Sequence, residues 1–214
     1  MLEAVSLYRF FRAGDTETLA LQGVSLNVDA GEMVAVSGPS GSGKSTLLAC
    51  LAGMDDPDGG TVRIDGQRMS NQPEHIQARM RSAHVGMLFQ SANMLPNLTV
   101  AQNVRLPQRL RGRSGAVRPV LSALGIEHRA RAYPDQLSGG ELVRAGLAVA
   151  VANDPSVILA DEPSGELDSE TERIVLDLLR ERVRRGAAVL VASHSSAVSA
   201  AADRVIVLSD GRIQ

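Results

Sequence analysis

Eight residues near the amino terminus have the composition and spacing of a phosphate-binding loop. Residues 38–45 read Gly-Pro-Ser-Gly-Ser-Gly-Lys-Ser and lie between the apolar run 33–36 and a stretch that predicts a helix. The glycines let backbone N–H groups turn around a polyphosphate, and the helix start adds partial positive charge. Lys44 is placed to reach the outer phosphates, and the Ser45 hydroxyl to ligate Mg²⁺. The motif therefore predicts a nucleoside-triphosphate site, and its strand–loop–helix context disfavours a chance glycine-rich turn.

Two carboxylates follow a second apolar run, at 157–160. Such a run is typical of a parallel strand buried on both faces, and open α/β sheets collect their ligands at the carboxyl ends of these strands. Asp161 is therefore expected to bind Mg²⁺, and Glu162 to polarise the water that attacks the γ-phosphate. The alternative is a solvated acidic pair at a helix start, which the presence of a phosphate-binding loop disfavours.

The order of four motifs along the chain carries a family resemblance. The phosphate-binding loop is followed by the signature motif 137–141 (Leu-Ser-Gly-Gly-Glu), by the acidic strand end, and by His194 after another apolar run. This order resembles the ATP-binding-cassette (ABC) family over almost the whole chain. The expected fold class is consequently α/β: a P-loop NTPase with a RecA-like, mainly parallel sheet core, an N-terminal antiparallel β layer and an inserted helical subdomain.

The resemblance implies a role for each motif residue. The implied catalytic residues are Glu162, His194, Gln90 and Lys44. The implied Mg²⁺ ligands are Ser45, Gln90 and Asp161. The residues implied to contact ATP are Phe11, Gly38, Pro39, Ser40, Gly41, Ser42, Gly43, Lys44, Ser45, Thr46, Ser138, Gly139 and Gly140. His194 would contact the γ-phosphate, although a lone histidine after a strand more often has a structural role.

Ser138, Gly139 and Gly140 begin a predicted helix and form a second anion site by the same physics as the first. A helical region that folds back would join the two sites within one chain. The resemblance instead implies a head-to-tail homodimer, in which these residues of one chain close over the ATP held by the other. Residues 164–168 resemble the loop through which two such sites communicate, with Asp168 as the matching acid.

Three aromatic residues near the amino terminus are candidates for holding the base. The spacing of Phe11 before Lys44 matches the adenine-stacking aromatic of the family, while Tyr8 and Phe10 are close enough to compete. The chain contains no Trp, two Tyr and three Phe, so this cluster stands out. Stacking is favoured for Phe11, and core packing for Tyr8 or Phe10.

Hydrophobic patterns divide the chain into a core and a helical region. Alternating apolar runs predict an antiparallel layer, at 2–7, 21–28 and 61–66. Continuous apolar runs predict buried parallel strands, at 33–36, 157–160 and 188–192. A shorter run at 205–208 predicts an edge strand, and helical segments broken by Pro and Gly follow residue 90. The single domain 1–214 is expected to divide into an ATP-binding core, 1–90 and 155–214, and a helical signalling subdomain, 91–154.

Composition and charge exclude several classes of protein. With 214 residues and 44% apolar residues, the chain can bury a core. It has no apolar stretch approaching the ~20 residues of a membrane span, and residues 1–4 do not begin a secretory signal. A single cysteine, Cys50, fits a reducing compartment and a small buried side chain. The net charge of −2, and arginines at 105–131 without interleaved aromatics, predict no nucleic-acid partner.

Several strings resemble one branch of the family, the ATPases of lipoprotein-release, macrolide-export and antimicrobial-peptide systems. They are residues 31–35, 37–47, 93–100, 133–141 and 165–168. The branch implies a cytoplasmic ATPase, peripheral on the inner face of the cell membrane, that drives separate FtsX-like transmembrane permease subunits docked near 90–97. The alternative is a cell-division-type switch that signals through a membrane partner without moving a substrate. A DNA-repair or translation protein is disfavoured, because a coiled-coil insertion and a second cassette are absent.

The sequence departs from the family in the signature helix. Leu142-Val143 replace a common pair of glutamines, and Gly146 stands where a better helix former is usual. Arg144 matches the arginine of the branch. We therefore expect effects on helix stability or dimer contacts rather than a loss of hydrolysis.

Overall fold

The computed structural model describes residues 1–13, 16–91, 93–163 and 167–214. The strands are β1 (Leu2–Ala13), β2 (Thr16–Val28), β3 (Met33–Ser37), β4 (Gly59–Ile64), β5 (Gln67–Arg68), β6 (Val85–Leu88), β7 (Val157–Asp161), β8 (Ala188–Ala192), β9 (Arg204–Ser209) and β10 (Arg212–Ile213). The helices are α1 (Lys44–Leu51), α2 (Glu74–His84), α3 (Val100–Leu110), α4 (Val117–Ala123), α5 (Gly139–Ala150), α6 (Ser169–Arg184) and α7 (Ser196–Ala201).

The strands form two sheets that differ in direction. Strands β2, β1, β4 and β5 pair antiparallel in that order, which places the alternating runs of the amino-terminal part in one layer. The second sheet has the order β10-β9-β3-β8-β7-β6 and is parallel except for the pair β9 and β10. Every residue of β7 and β8 is buried, as expected for parallel strands covered on both faces. The predicted α/β fold with an antiparallel layer is confirmed.

Two apolar cores cover the two faces of the parallel sheet. One lies against the antiparallel layer and α1, where Leu47, Leu48 and Leu51 are fully buried. The other lies against helices α3 to α7. Successive residues of β8 alternate between the two cores, with Leu190 in the first and Val191 in the second. The strand ends are therefore held rigidly from both sides.

The carboxyl ends of β3, β8 and β7 meet at one edge of the parallel sheet. Val36 pairs with Ala192, and Ala192 pairs with Asp161, so these three residues form a row across the sheet. Strand β6 lies beside β7, with Leu88 opposite Ala160. The segments that follow these strands carry the phosphate-binding loop, the acidic pair, His194 and Gln90. Parallel pairing thus brings together residues that are far apart in the sequence.

The described residues between 91 and 154 form helices α3, α4 and α5 with two short 3₁₀ turns, at Glu127–Arg129 and Pro134–Gln136, and no strand. Helix α3 begins with a capping box, in which Thr99 and Gln102 satisfy each other's backbone N–H groups. This part of the chain agrees with the predicted helical insertion. In the described ranges no helix combines the length and the apolar character needed to cross a membrane.

Two features of the fold differ from the sequence prediction. The sequence pattern predicts no helix at the position of α2, because few residues of this helix are buried and its apolar pattern is weak. The prediction that 205–208 forms an edge strand is wrong, because β9 pairs with β3 on one side and with β10 on the other. Asp210 and Gly211 have φ of 48° and 72°, and this left-handed turn folds β10 back onto β9.

The single cysteine, Cys50, lies in α1 and has no exposed surface. Burial raises the pKa of its thiol to about 12, and the Asp55 carboxylate acts in the same direction. The thiolate is the reactive form of cysteine, and it is scarcely populated at neutral pH in this environment. Cys50 is therefore the small buried residue that the sequence predicts.

We predict that Ellman's reagent at pH 8 modifies Cys50 in the folded chain at least about 100-fold more slowly than an exposed thiol, because reaction requires unfolding of the core. The exposed thiol for comparison is supplied by Ser196→Cys, at the start of α7. Both thiols should react at similar rates in concentrated urea. Equal rates for the two positions in the folded chain would contradict the buried placement of Cys50.

Candidate active site

The loop 38–45 joins the end of β3 to the start of α1. A side chain at Gly38 or Gly43 would collide with a backbone oxygen, that of Leu208 or of Ala20 respectively. Gly43 also has a φ of 103°, in the region that favours glycine, and it is the N-cap of α1. Because glycine supplies no capping side chain, the first N–H groups of α1 are left for an anion.

Lys44 begins α1 and is the only lysine in a chain with 22 Lys and Arg residues. Its Nζ donates to the Gly38 oxygen at 2.8 Å and to the Pro39 oxygen at 3.1 Å, so the loop itself orients the ammonium group. An ammonium group is a compact point charge, whereas a guanidinium group is a planar fork. The restriction of lysine to this one position indicates the site independently of the motif.

A cleft of about 1320 Å³ opens at the carboxyl edge of the parallel sheet. The predicted site residues that line it are Phe11, Gly38, Pro39, Ser40, Gly41, Gly43, Lys44, Ser45, Thr46, Gln90, Gly139, Asp161, Glu162 and His194. The predicted residues outside its lining are Ser42, Ser138 and Gly140. Ser42 is buried, and its hydroxyl has no hydrogen-bond partner within the described part of the chain. The cleft is larger than the roughly 300–1,000 Å³ of an ordinary small-molecule pocket.

Asp161 and Glu162 lie at the end of β7 and both border the cleft. Asp161 is buried, with 9% exposure. Glu162 has a left-handed backbone with a φ of 46°, and its N–H donates to the Ala192 oxygen at 2.8 Å. This conformation costs free energy in a residue other than glycine. It takes Glu162 out of the alternation of the strand, so two successive carboxylates face the same cleft.

The Glu162 carboxylate is held through both of its oxygens. Oε1 lies 3.0 Å from Nδ1 of His194, and Oε2 accepts a hydrogen bond of 3.1 Å from the Ser193 hydroxyl. Because an ionised carboxylate only accepts, Nδ1 carries the hydrogen in the contact with His194. The His194 side chain is 72% exposed, whereas Ser193 has 1% exposure. The motifs of the sequence assign no role to Ser193, although it stands next to His194 at the end of β8.

Gln90 lies two residues beyond β6 and lines the cleft. Its loop is pinned by the Asn93 side chain, which accepts from the Phe89 N–H and donates to the Phe89 oxygen, both at 2.7 Å. Asn93 packs closely against α5, because a Cβ at Gly146 would lie 2.6 Å from the Asn93 Cβ. The glycine that weakens the helix by propensity therefore leaves room for a contact between α5 and the loop of Gln90.

The signature motif forms the amino-terminal turn of α5. The Ser138 Oγ accepts from the Glu141 N–H at 3.4 Å, and the Ser138 N–H donates to Glu141 Oε2 at 2.9 Å. Since the hydroxyl is an acceptor in this cap, it can also donate its own hydrogen to an anion. Arg129 donates to both carboxylate oxygens of Glu141, at 2.7 and 3.2 Å. The Arg129 guanidinium, together with the Ser138 N–H, lowers the pKa of Glu141 to about 2, so this side chain stays ionised.

A chain of polar contacts links α5 to the start of α6. Arg144 donates to the Thr171 hydroxyl at 3.0 Å, and this hydroxyl donates to Asp168 Oδ2 at 2.8 Å. Asp168 is the N-cap of α6, and hydrogen bonds from the backbone and hydroxyl of Thr171 lower its pKa. Residues 164–166 of the predicted communication loop lie outside the described residues. The role of that loop and of Asp168 stays a prediction.

Of the three aromatic candidates for the base, Phe11 lines the cleft and Tyr8 and Phe10 do not. The Phe11 ring is 43% exposed, and the guanidinium carbon of Arg9 lies 4.9 Å from its centre. Arg9 is fixed in turn by Asp55, with two hydrogen bonds of 2.7 and 2.8 Å. A cation over one face of the ring leaves the opposite face for stacking.

The predicted Mg²⁺ ligands Ser45, Gln90 and Asp161 all line the cleft. They offer hydroxyl, amide and carboxylate oxygens, which are donors that suit Mg²⁺. In the described ranges no group of three or more His, Cys, Asp and Glu side chains is arranged to hold a metal ion. The sparse set fits Mg²⁺, because this ion usually keeps several waters and binds through substrate phosphates.

Comparison with known proteins places this cleft in a family. Residues 21–165 match the family model described as ABC transporter. The macrolide export ATP-binding/permease protein MacB of Shigella flexneri is 42% identical over 218 residues, which cover 100% of this chain and 34% of MacB. An uncharacterized ABC transporter ATP-binding protein of Mycobacterium tuberculosis is 41% identical over 209 residues, covering 95% of this chain and 84% of that protein. The chain thus spans about one third of the length of the MacB protein.

A solved structure is similar over the whole chain. The dimeric structure of MJ0796, a bacterial ABC transporter cassette, has a TM-score of 0.95 and 34% sequence identity, covering 100% of this chain and 97% of that chain. A second dimeric structure of the same cassette, in a post-hydrolysis state bound to ADP and Pi, has a TM-score of 0.94. The chain therefore belongs to the ABC transporter family, as an ATP-binding cassette of the ATPase class.

Proposed function

We propose that this chain hydrolyses ATP in the cleft and couples the cycle to a transmembrane permease. The observation that carries the proposal is the convergence of Lys44, Asp161, Glu162 and His194 on one cleft, although they come from three separate parts of the chain. Phosphoryl transfer depends mainly on positioning and on stabilisation of charge. These four side chains supply a cation, a metal ligand, a base and a hydrogen-bonding ring.

The binding step uses the loop 38–45 and Phe11, which also lines the cleft. The phosphates lie against the N–H groups at the start of α1, and Lys44 exchanges its bonds to loop oxygens for bonds to the outer phosphates. Phe11 stacks on the adenine. Ser45, Gln90 and Asp161 would hold Mg²⁺, which would supply positive charge against the phosphates.

The hydrolytic step assigns separate tasks to two side chains that bind each other. Glu162 is the general base that polarises the attacking water, and His194 contacts the γ-phosphate. Their contact of 3.0 Å occupies one Glu162 oxygen. His194 is largely exposed and turns toward the phosphate without disturbing the core, which leaves that oxygen for the water.

The competent unit is a head-to-tail homodimer in this proposal. Gly139 and Val143 of the signature helix line the cleft of their own chain, whereas Ser138 and Gly140 do not. The hydroxyl hydrogen of Ser138 and the positive end of α5 are suited to ATP bound by a second chain. Leu142 is exposed beside them and adds apolar surface to such a contact. The dimeric structures of the MJ0796 cassette support dimerisation.

The transmembrane partner is an FtsX-like permease. The name of MacB describes an ATP-binding/permease protein, and this chain covers one part of it. Phe89 immediately precedes Gln90 and Leu95 follows it by five residues, and both are exposed apolar side chains that suit a permease contact. The core, 1–90 and 155–214, binds ATP, and the helical subdomain, 91–154, transmits its motion. The cassette acts at the cytoplasmic face of the membrane, in export or mechanotransmission that serves a lipoprotein, a peptide or a drug.

Replacing Glu162 with Gln should lower the ATPase rate by on the order of 100-fold or more while ATP affinity is unchanged, because a base is lost and the phosphate contacts remain. Phosphate release measures the rate, and calorimetry measures the affinity. The matched control is Glu3→Gln, the same change at an exposed position of β1, which should behave like the parent. Parental turnover by Glu162→Gln would remove the general base from the proposal.

Lys44→Ala should weaken ATP binding by about tenfold or more, because a charged hydrogen bond to the phosphates is lost. Lys44→Arg should not restore it, since the guanidinium fork does not fit a position shaped for a point charge. Calorimetric titration with ATP measures both. The control Arg113→Ala removes an exposed cation in the helical region and should bind like the parent. Unchanged affinity in Lys44→Ala would argue against the phosphate-binding loop.

Ser138→Arg should leave ATP binding by the single chain unchanged and abolish ATP-driven dimerisation, because bulk and positive charge block closure. Sedimentation in ATP measures dimerisation, and the Glu162→Gln background prevents hydrolysis during the run. Ser196→Arg, at an exposed position of α7, is the matched control. Normal dimers of Ser138→Arg would show that the signature does not act across an interface.

Mixing Ser138→Arg chains with Lys44→Ala chains tests the same interface from the other side. Each heterodimer combines one intact loop with one intact signature at one site, and both defects at the other. We expect ATP to restore part of the dimer population in the mixture. If folded chains of both kinds form no heterodimer in ATP, the head-to-tail arrangement is wrong.

A further inference from the structure

The Ser193 hydroxyl joins the Glu162 carboxylate to the backbone that follows β8. It accepts a hydrogen bond of 3.1 Å from the Ser195 N–H and lies 3.1 Å from Glu162 Oε2. The N–H group can only donate, and the ionised carboxylate can only accept. The direction of both bonds is therefore determined, and the single hydroxyl hydrogen of Ser193 is directed at Glu162.

We propose that Ser193 is a positioning residue that sets the orientation of the Glu162 carboxylate during ATP hydrolysis. The proposal rests on the proposed function, in which Glu162 is the general base. Ser193 itself does not line the cleft and acts through Glu162.

Burial separates the task of Ser193 from that of His194. Each residue binds a different oxygen of the Glu162 carboxylate. The His194 side chain is 72% exposed, whereas Ser193 is only 1% exposed. The Ser193 N–H donates to the Val36 oxygen at 3.0 Å, which anchors the residue to β3. When His194 turns to the γ-phosphate, the bond from Ser193 is the one that remains. It leaves Oε1 as the oxygen that faces the attacking water.

The residue that orients Ser193 is itself fixed from two directions. The Ser195 hydroxyl donates to Glu172 Oε1 at 2.7 Å, and it accepts from the Ala197 N–H at 3.1 Å as the N-cap of α7. Glu172 belongs to α6, so the chain of bonds runs from the helix through Ser195 and Ser193 to the carboxylate. Both partners of the Ser193 hydroxyl, the Glu162 carboxylate and the Ser195 N–H, therefore belong to one connected set of hydrogen bonds.

A purely structural role for Ser193 makes a different prediction from a positioning role. A hydroxyl that only satisfies the Ser195 N–H would affect the free energy of unfolding when removed, and the rate per folded chain would stay the same. A hydroxyl that orients Glu162 would affect kcat while leaving the phosphate contacts, and so the affinity for ATP, unchanged. Kinetics on folded chains separates the two.

The test begins with Ser193→Ala in the 214-residue chain. We expect kcat for ATP hydrolysis to fall by about tenfold, the effect of one hydrogen bond to a charged group. The KM and the calorimetric affinity for ATP should stay within about twofold of the parent, because the ground-state contacts are intact. Ser193→Thr retains the hydroxyl and should recover most of the rate. The control Ser199→Ala removes a hydroxyl from α7 that donates to the Ser195 oxygen at 3.2 Å, and it should leave kcat unchanged.

A double-mutant cycle with Glu162→Gln decides whether Ser193 acts through Glu162. Single-turnover hydrolysis of labelled ATP should be equally slow in Glu162→Gln and in the double variant, because Ser193 has no base left to orient. A further loss in the double variant, or a parental kcat in Ser193→Ala, would overturn the proposal. If Glu162→Gln itself hydrolyses like the parent, the proposed function of Glu162 fails. If Glu162→Gln is inactive and Ser193→Ala is not, the inference alone fails.

Discussion

The arrangement of the site depends on the parallel pairing of β3, β8 and β7. Their register places Val36, Ala192 and Asp161 in one row, so the three loops that follow start at the same edge of the sheet. Because all three strands are buried on both faces, a shift of register would expose apolar residues and is strongly disfavoured. The pairing of the strands therefore brings Lys44, the acidic pair 161–162 and His194 to one place. No bond between these side chains is needed to do so.

Contiguous motifs can be predicted from the sequence, whereas contacts between distant residues cannot. The loop 38–45 is recognisable because its glycines, lysine and flanking elements are contiguous. Ser193 contacts Glu162, and Arg129 contacts Glu141. The spacing of these residues follows neither a helical nor a strand repeat, so no local pattern predicts the contacts. The inner position of β9 is not predictable for a related reason, because only two residues beyond a tight turn, those of β10, cover its outer edge.

The signature helix is held to the core by contacts of two kinds. Shape complementarity acts at Gly146, where the missing side chain admits Asn93 and thereby the loop that carries Gln90. Hydrogen bonding acts at Arg144, which reaches the start of α6 through Thr171. A rotation of α5 would strain both contacts at once. The loop after β6 and the start of α6 are thus mechanically joined through one helix.

The arginine-rich surface has a consequence for chemical modification of this protein. Acetyl and other acyl groups transfer to the amine of lysine and remove its charge, and Lys44 is the only lysine side chain of the chain. That amine lies over the phosphate-binding loop, bonded to Gly38 and Pro39. Acylation of a lysine side chain cannot therefore be a silent surface event here. Within residues 1–214 any such mark falls on Lys44 at the cleft, so the acylated fraction equals the fraction of cassettes in which the cation that we propose for the phosphates is neutralised.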